Sequence, residues 1–261
     1  MARLVPLFSG STGNSYYIGS RSAGLLLDAG RSAKQLEQMM LRCGVDPLAI
    51  QGILVTHEHS DHISGLRVFA KKYGLPVFTS PGTLNALGEE TLSQIDVRPL
   101  TDGLELAGMT VTSFPTSHDA AQPTGYRVVT EDKRTVTLCT DTGVLTPQAL
   151  EALTGADTVI LESNHDPEML RTGGYPMHLK LRILSDHGHL SNAACAGVLA
   201  QLHRSGTRRF LLAHLSRENN TPGLALEAAQ AALTRAGLVN GVDYWLQAAA
   251  PENLTGDPIL F

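Results

Sequence analysis

The chain of 261 residues has few cysteines, no long apolar run and no excess of positive charge. Its three cysteines, Cys43, Cys139 and Cys195, are odd in number, widely spaced and set in apolar surroundings. That excludes a disulfide framework and predicts reduced, buried thiols in a cytoplasmic protein. No window approaches the roughly 18 uninterrupted apolar residues of a membrane span. The N-terminal stretch MARLVPLFSG has one arginine and only a short apolar run, so it reads as a first strand and not as a signal peptide. The net charge of −5 argues against a generally basic surface that coats nucleic acid. A local basic groove is still open, because the field at a site depends on where the charges lie. There is no repeat, low-complexity block or proline-rich linker to divide the chain. With 43% apolar and 17% charged residues, the composition is that of an ordinary globular protein able to bury a large core.

What is present is alternation of strand-length apolar runs with segments of helical period. LVPLF, SYYIG and GLLLDAG read as strands, and residues 32–43 as a helix with Ser32 as cap and Gly44 just past its end. IQGILVT is a buried strand running into a polar loop. Residues 62–74 follow as one short helix, PVFTS as a strand and 81–88 as another helix. From 96 to 139 the pattern is strand-like, with turn chemistry in TEDKR joining two antiparallel strands. The later part alternates again: PQALEAL helical, DTVILES a strand, NAACAGVLAQLH a helix capped by Ser191 or Asn192, RRFLLAHLS a strand, residues 222–237 a helix and DYWLQAA a last strand. The two halves share one design. The expected architecture is α/β, an αββα sandwich of two mixed sheets flanked by helices, forming one domain over 1–261.

The ten histidines mostly sit beside Asp, Ser, Asn or Gly. The densest group is Thr56-His57-Glu58-His59-Ser60-Asp61-His62, just after a buried strand. His57 and His59, two apart, point the same way in an extended segment. Asp61 and His62 stand at the entrance to the next helix, where the chain turns them back towards the pair. Four ligand-type side chains within six residues suit one or two divalent metals bound by imidazole and carboxylate. His118 in SFPTSHDA, Asp141 in TVTLCTDTG and His214 in RRFLLAHLS repeat one arrangement: an apolar strand delivers a metal-type side chain. Gly143 allows close backbone approach beside Asp141.

This set resembles the metallo-β-lactamase superfamily signature over nearly the whole chain. The resemblance implies the metallo-β-lactamase fold and a two-metal site. One metal would be held by His57, His59 and His118, the second by Asp61, His62 and His214, with Asp141 bridging both. Ser9-Gly10-Ser11-Thr12-Gly13-Asn14, Glu162-Ser163-Asn164-His165-Asp166, Gly188-His189-Leu190-Ser191-Asn192 and His214-Leu215-Ser216-Arg217-Glu218-Asn219-Asn220 are similar to motifs of the WalJ/YycJ group of that superfamily. That group is linked to DNA exonuclease activity. The interval from Asp141 to His214 leaves no room for an inserted nuclease domain.

The implied function is a two-metal phosphodiesterase, a 5′ to 3′ exonuclease of duplex DNA using a hydroxide held between the metals. Bound metal brings the pKa of water to about 7. The resemblance favours Mn(II) for activity, and the donor types also suit Zn(II). Asp61 is a candidate catalytic residue besides being a ligand. His189, at the start of a helix whose free N–H groups attract anions, leads as acid or phosphate contact, followed by His165 and His187. Ser11, Asn14, Ser191 and Asn192 are candidate phosphate contacts, and Lys180 and Arg182 candidate cations for a polyanion. Tyr175 is placed to stack on a base, and Asn219 and Asn220 either cap the next helix or brace His214, the second being favoured. Three alternatives stay open: a small-molecule hydrolase of the same superfamily acting on a thioester, lactone or cyclic nucleotide, an RNA-processing nuclease, or a binding module without turnover.

Overall fold

A computed structural model describes residues 2–260. The apolar runs form β1 (Arg3–Phe8), β2 (Ser15–Gly19), β3 (Gly24–Leu27), β4 (Ile50–Leu54), β5 (Val77–Thr79) and β6 (Val97–Pro99) in one sheet. A second sheet holds β7 (Leu104–Leu106), β8 (Met109–Pro115), β9 (Thr124–Val129), β10 (Thr135–Cys139), β11 (Thr158–Glu162), β12 (Arg209–Ala213) and β13 (Trp245–Ala248). A last strand, β14 (Ile259–Leu260), returns to pair antiparallel with β1. The strand orders are β14-β1-β2-β3-β4-β5-β6 and β13-β12-β11-β10-β9-β8-β7. Each sheet is antiparallel on one side and parallel on the other: β3 to β6 run parallel in the first, β10 to β13 in the second. The fold is the expected sandwich of two mixed sheets.

Helices cover both outer faces. They are α1 (Ala33–Arg42), α2 (Ser60–Ile63), α3 (Leu66–Tyr73), α4 (Pro81–Ala86), α5 (Glu89–Leu92), α6 (Pro147–Leu153), α7 (Pro167–Thr172), α8 (Met177–Leu184), α9 (Asn192–Arg204) and α10 (Pro222–Arg235). Strand alternation sorts the core into three layers. Leu25, Leu27, Ile160 and Leu211 point inward and meet between the sheets with Tyr126, Val128 and Leu138. Leu26, Ile53 and Val55 point outward against Leu36, Met40 and Phe69 of the first helical layer. Val159, Leu161, Phe210 and Leu212 do the same against Leu199, Leu202 and Leu233. Cys43, Cys139 and Cys195 are free and buried, as expected, and no helix among the described residues is long and apolar enough to cross a membrane.

Three local readings need correction. The helix expected over 62–74 is two, because the chain bends at Gly65. A side chain there would come within 1.9 Å of the Arg31 carbonyl, and the Gly65 N–H bonds Ala29 O at 2.8 Å. The polar stretch after β11 holds α7 and α8, which no apolar period announces. Asp166 starts α7 by accepting from the Glu168 and Met169 N–H groups. The strand β14 is too short to stand out by composition. Between Asp141 and His214 the chain supplies α6, β11, α7, α8, α9 and β12, all part of the second half of the sandwich.

Candidate metal centre

The parallel strands deliver their carboxyl ends to one edge. Leu27 and Leu54 are paired across β3 and β4, so Asp28 and the 55–57 stretch leave the first sheet together. Cys139 pairs with Leu161, and Glu162 with Ala213, so Asp141, Glu162 and His214 leave the second sheet together. The crevice beyond such carboxyl ends is where open α/β sheets bind ligands. Asp28, Asp141 and His214 turn off their strands with φ of 60°, 55° and 54°. That left-handed conformation is costly for non-glycine residues and persists only where the surroundings enforce it.

At this edge the seven expected donors converge. His57, His59 and His118 each offer a ring nitrogen within 4.8 Å of the others, as do the donor atoms of Asp61, His62 and His214. Asp141 falls between, within the same reach of His57 and His62. His62 Nε2 lies 3.5 Å from Asp61 Oδ2 and 3.3 Å from Asp141 Oδ2. His57 Nε2, His214 Nε2 and Asp141 Oδ2 are buried without any hydrogen-bond partner. Buried polar atoms are rarely left orphaned, and an unplaced ion is one reason for it. Five imidazoles and two carboxylates around these orphans fit divalent cations of the Zn(II) or Mn(II) type.

The ligands are held from behind, as metal-binding histidines commonly are. His62 Nδ1 donates to Asp28 Oδ2 at 2.7 Å, and His118 Nδ1 to the Gly188 carbonyl at 3.0 Å. Thr56 Oγ1 lies 3.0 Å from His57 Nδ1 and donates to Asp28. Glu162 Oε1 accepts from the Nδ1 of both His214 (2.9 Å) and His189 (2.8 Å). Its Oε2 accepts from the Thr142 and Leu190 N–H groups. In the grouping of Asp141, Glu162, His189 and His214, hydrogen bonds join the last three, and Glu162 there is a brace. Burial alone pushes the Glu162 carboxyl up, but His189 and His214 outweigh it and hold it at about 2. Asp141 is likewise drawn well below the carboxylate range: His214 and His62 overcome the cost of its burial.

The other predicted site residues fall into three groups. His189 sits beside the cluster, its ring 5.0 Å from that of His118 and 5.2 Å from that of His214. Arg182 grips Asp119 at 2.6 and 2.9 Å, and Asp119 lies 3.3 Å from His118 Nε2. Ser11 is exposed on the rim loop. His165 is 2% exposed with neither ring nitrogen bonded, and burial pulls its pKa down, so it stays neutral. Four proposed phosphate contacts are spent elsewhere. Asn192 is buried, accepting from Ser163 Oγ and sharing both ends with Asn220. Asn14 is buried too, bonding Gly10 and Asp61. Ser191 Oγ accepts from Ala194 N–H as the cap of α9, and Lys180 Nζ donates to the Arg171 carbonyl. His187 is exposed, beside Ser117. Asn220 binds the Ser163 and Asn164 carbonyls, and Asn164 in turn donates to His214 O, so the bracing of His214 is indirect.

Asp28 and the role of Glu162 escaped the sequence reading. Both carry the signal that revealed Asp141 and His214, an acid closing an apolar strand (LLLD, VILE). Glu58 was also passed over: its Oε1 accepts the Ala121 N–H at 2.7 Å and pins the loop after His118.

Known proteins resemble this chain in sequence and fold. Residues 24–215 match the family described as the beta-lactamase superfamily domain. The chain is 38% identical over 255 residues to the exodeoxyribonuclease WalJ of Streptococcus pneumoniae, covering 95% of this chain and 94% of that one. It is 40% identical over 250 residues to the exodeoxyribonuclease YycJ of Bacillus anthracis, covering 94% of each. Among solved structures, the metallo-beta-lactamase fold protein YhfI from Bacillus subtilis superposes with a TM-score of 0.72 at 17% identity over 97% of this chain and 98% of that one, which speaks for the fold alone. With that fold, that ligand cluster and relatives matching it nearly end to end, the chain belongs to the metallo-β-lactamase superfamily of hydrolases.

Proposed function

We propose that the protein is a two-metal exodeoxyribonuclease that degrades duplex DNA from a 5′ end. The observation that carries this is the meeting of seven donors at one edge, several of them buried with free lone pairs. The activity in the names of its relatives supports DNA as the substrate. His57, His59 and His118 would hold one cation, Asp61, His62 and His214 the other, and Asp141 would reach both. Such ions supply Lewis acidity for a phosphodiester and acidify a water at neutral pH, Mn(II) being our choice for activity.

The protein's own groups do the rest. Asp28 and Glu162 hold Nδ1 of His62 and His214 and so turn Nε2 of each towards the cluster, where that of His62 meets the Asn14 amide at 3.1 Å and that of His214 has no partner. Glu162 also orients His189 through Nδ1. His189, its ring beside those of His118 and His214, is our choice of proton donor to the leaving oxygen. His165, kept neutral by burial, is a poor general acid. Arg182 is closed on Asp119, next to His118, so its fork is already engaged.

The test is digestion of a 5′-labelled duplex with Mn(II), set against single-stranded DNA and RNA. Asp141→Ala and His59→Ala should each lower the rate at least about 100-fold, in the range of losing a transition-state contact. DNA cleavage unchanged in both variants would remove the site from the reaction.

A further inference from the structure

Arg31 plays no part in the ligand cluster, yet it stands at its rim. Gly30, its neighbour, packs against the metal-ligand segment so closely that a Cβ there would come within 1.8 Å of Asp61 O and 2.5 Å of Asn14 N. Arg31 is thereby fixed on the Asp61 side of the centre, whereas Arg182 stands on the His118 side. Its stem lies flat on Gly13, where a Cβ would fall 2.6 to 2.8 Å from its Cδ, Cγ and Nε. Its guanidinium carbon is 5.4 Å from the centre of the Phe8 ring. One terminal nitrogen donates to Thr12 Oγ1 at 3.1 Å and reaches Glu252 Oε1 only at 3.4 Å. Its Nε is buried and has no partner.

An arginine whose task is to clamp a carboxylate closes on it with both forks, as Arg182 does on Asp119 at 2.6 and 2.9 Å. Arg31 does not. It is built in place by a glycine and an aromatic platform, with most of its donors unspent. Ser11, exposed, and the Thr12 hydroxyl are on the same loop. A planar fork flanked by hydroxyls matches a phosphate better than any neutral group.

We propose that Arg31, with Ser11 and Thr12, forms a phosphate subsite on the Asp61 side of the metal centre. It takes a backbone phosphate of the DNA strand next to the one being cleaved. Arg31 then holds the strand on the Asp61 side of the metals, while Arg182 stays paired with Asp119. Glu252 occupies the guanidinium until the phosphate displaces it. This rests on the nuclease reading above.

The experiment measures kcat and KM for a duplex oligonucleotide with Mn(II) at several salt concentrations. Arg31→Ala should raise KM about five- to tenfold with kcat within about twofold, the scale of one charged contact. It should flatten the slope of log KM against log salt by about 0.7 to 0.9, one phosphate's worth. Arg31→Lys should fall between, because it keeps the charge and loses the fork. Glu252→Gln should lower KM, since it removes the competing carboxylate. Arg235→Ala, the same charge loss at the far end of α10, should leave KM and slope unchanged. If Arg31 only ties down the Glu252 segment, Arg31→Ala and Glu252→Gln lower the melting temperature with KM and salt slope as in the wild type, and the subsite is overturned. A wild-type protein inactive on every nucleic acid tried overturns the nuclease reading and the subsite with it.

Discussion

Glu162 shows how one residue can organise a centre it does not ligate. Its carboxylate is fully buried, which alone favours the neutral form. Two imidazoles, those of His189 and His214, reverse that preference and bring its pKa to about 2 against an ordinary 4.5. A carboxyl depressed on folding stabilises the folded state fully above its unfolded value and loses that contribution as pH falls through the folded value. Glu162→Gln should therefore be less stable than the wild type by a constant margin above pH 4.5, and the margin should shrink between pH 4.5 and about 2. Urea unfolding of the metal-free proteins across that range measures it. A margin that grows on acidification would contradict the assignment.

Loops between elements hold the centre through backbone contacts as much as through side chains. Gly143, just after Asp141, has its α-carbon against the chain at 185–186. A Cβ there would lie 2.4 Å from the Ser185 and Asp186 carbonyls. Two residues on, the Gly188 carbonyl accepts from His118 Nδ1. Gly143→Ala should push that loop outward and release His118. The expected outcome is a metal affinity about 10- to 100-fold weaker, the usual cost of losing a ligand's outer partner, with the far-UV circular dichroism unchanged. Metal content after dialysis against a weak chelator reads this directly, and a content equal to that of the wild type would count against it.

In the whole molecule, ligands from distant parts of the sequence meet because two sheets present the carboxyl ends of their parallel strands to one crevice. The layer between the sheets holds that alignment. Leu211, on β12 three residues before His214, is buried there against the opposite sheet. Leu211→Ala should cost about 2–5 kcal/mol of folding stability, the range for truncating a core leucine. Denaturant titration of the metal-free variant checks this, and a loss below about 1 kcal/mol would mean the two sheets are not packed as described.

Sequence alone picked out the side chains that meet at the edge of the sheets. The 57–62 cluster, and each acid or histidine that closes an apolar strand, are local patterns set by residue type and by the two-residue period of a strand. The strands and the longer helices were legible for the same reason. Tertiary structure decided everything that depends on neighbours remote in the chain. It made Asn14 and Asn192 braces, because burial forces their amides to bond within the protein. It split the helix at Gly65, where another segment's carbonyl comes too close for a side chain. It also gave Asp28 and Glu162 their histidine partners, 34 and 52 residues away in the cases of His62 and His214. Hydrogen bonds at such separations leave no periodic trace in a sequence; they exist only once the sheets have stacked.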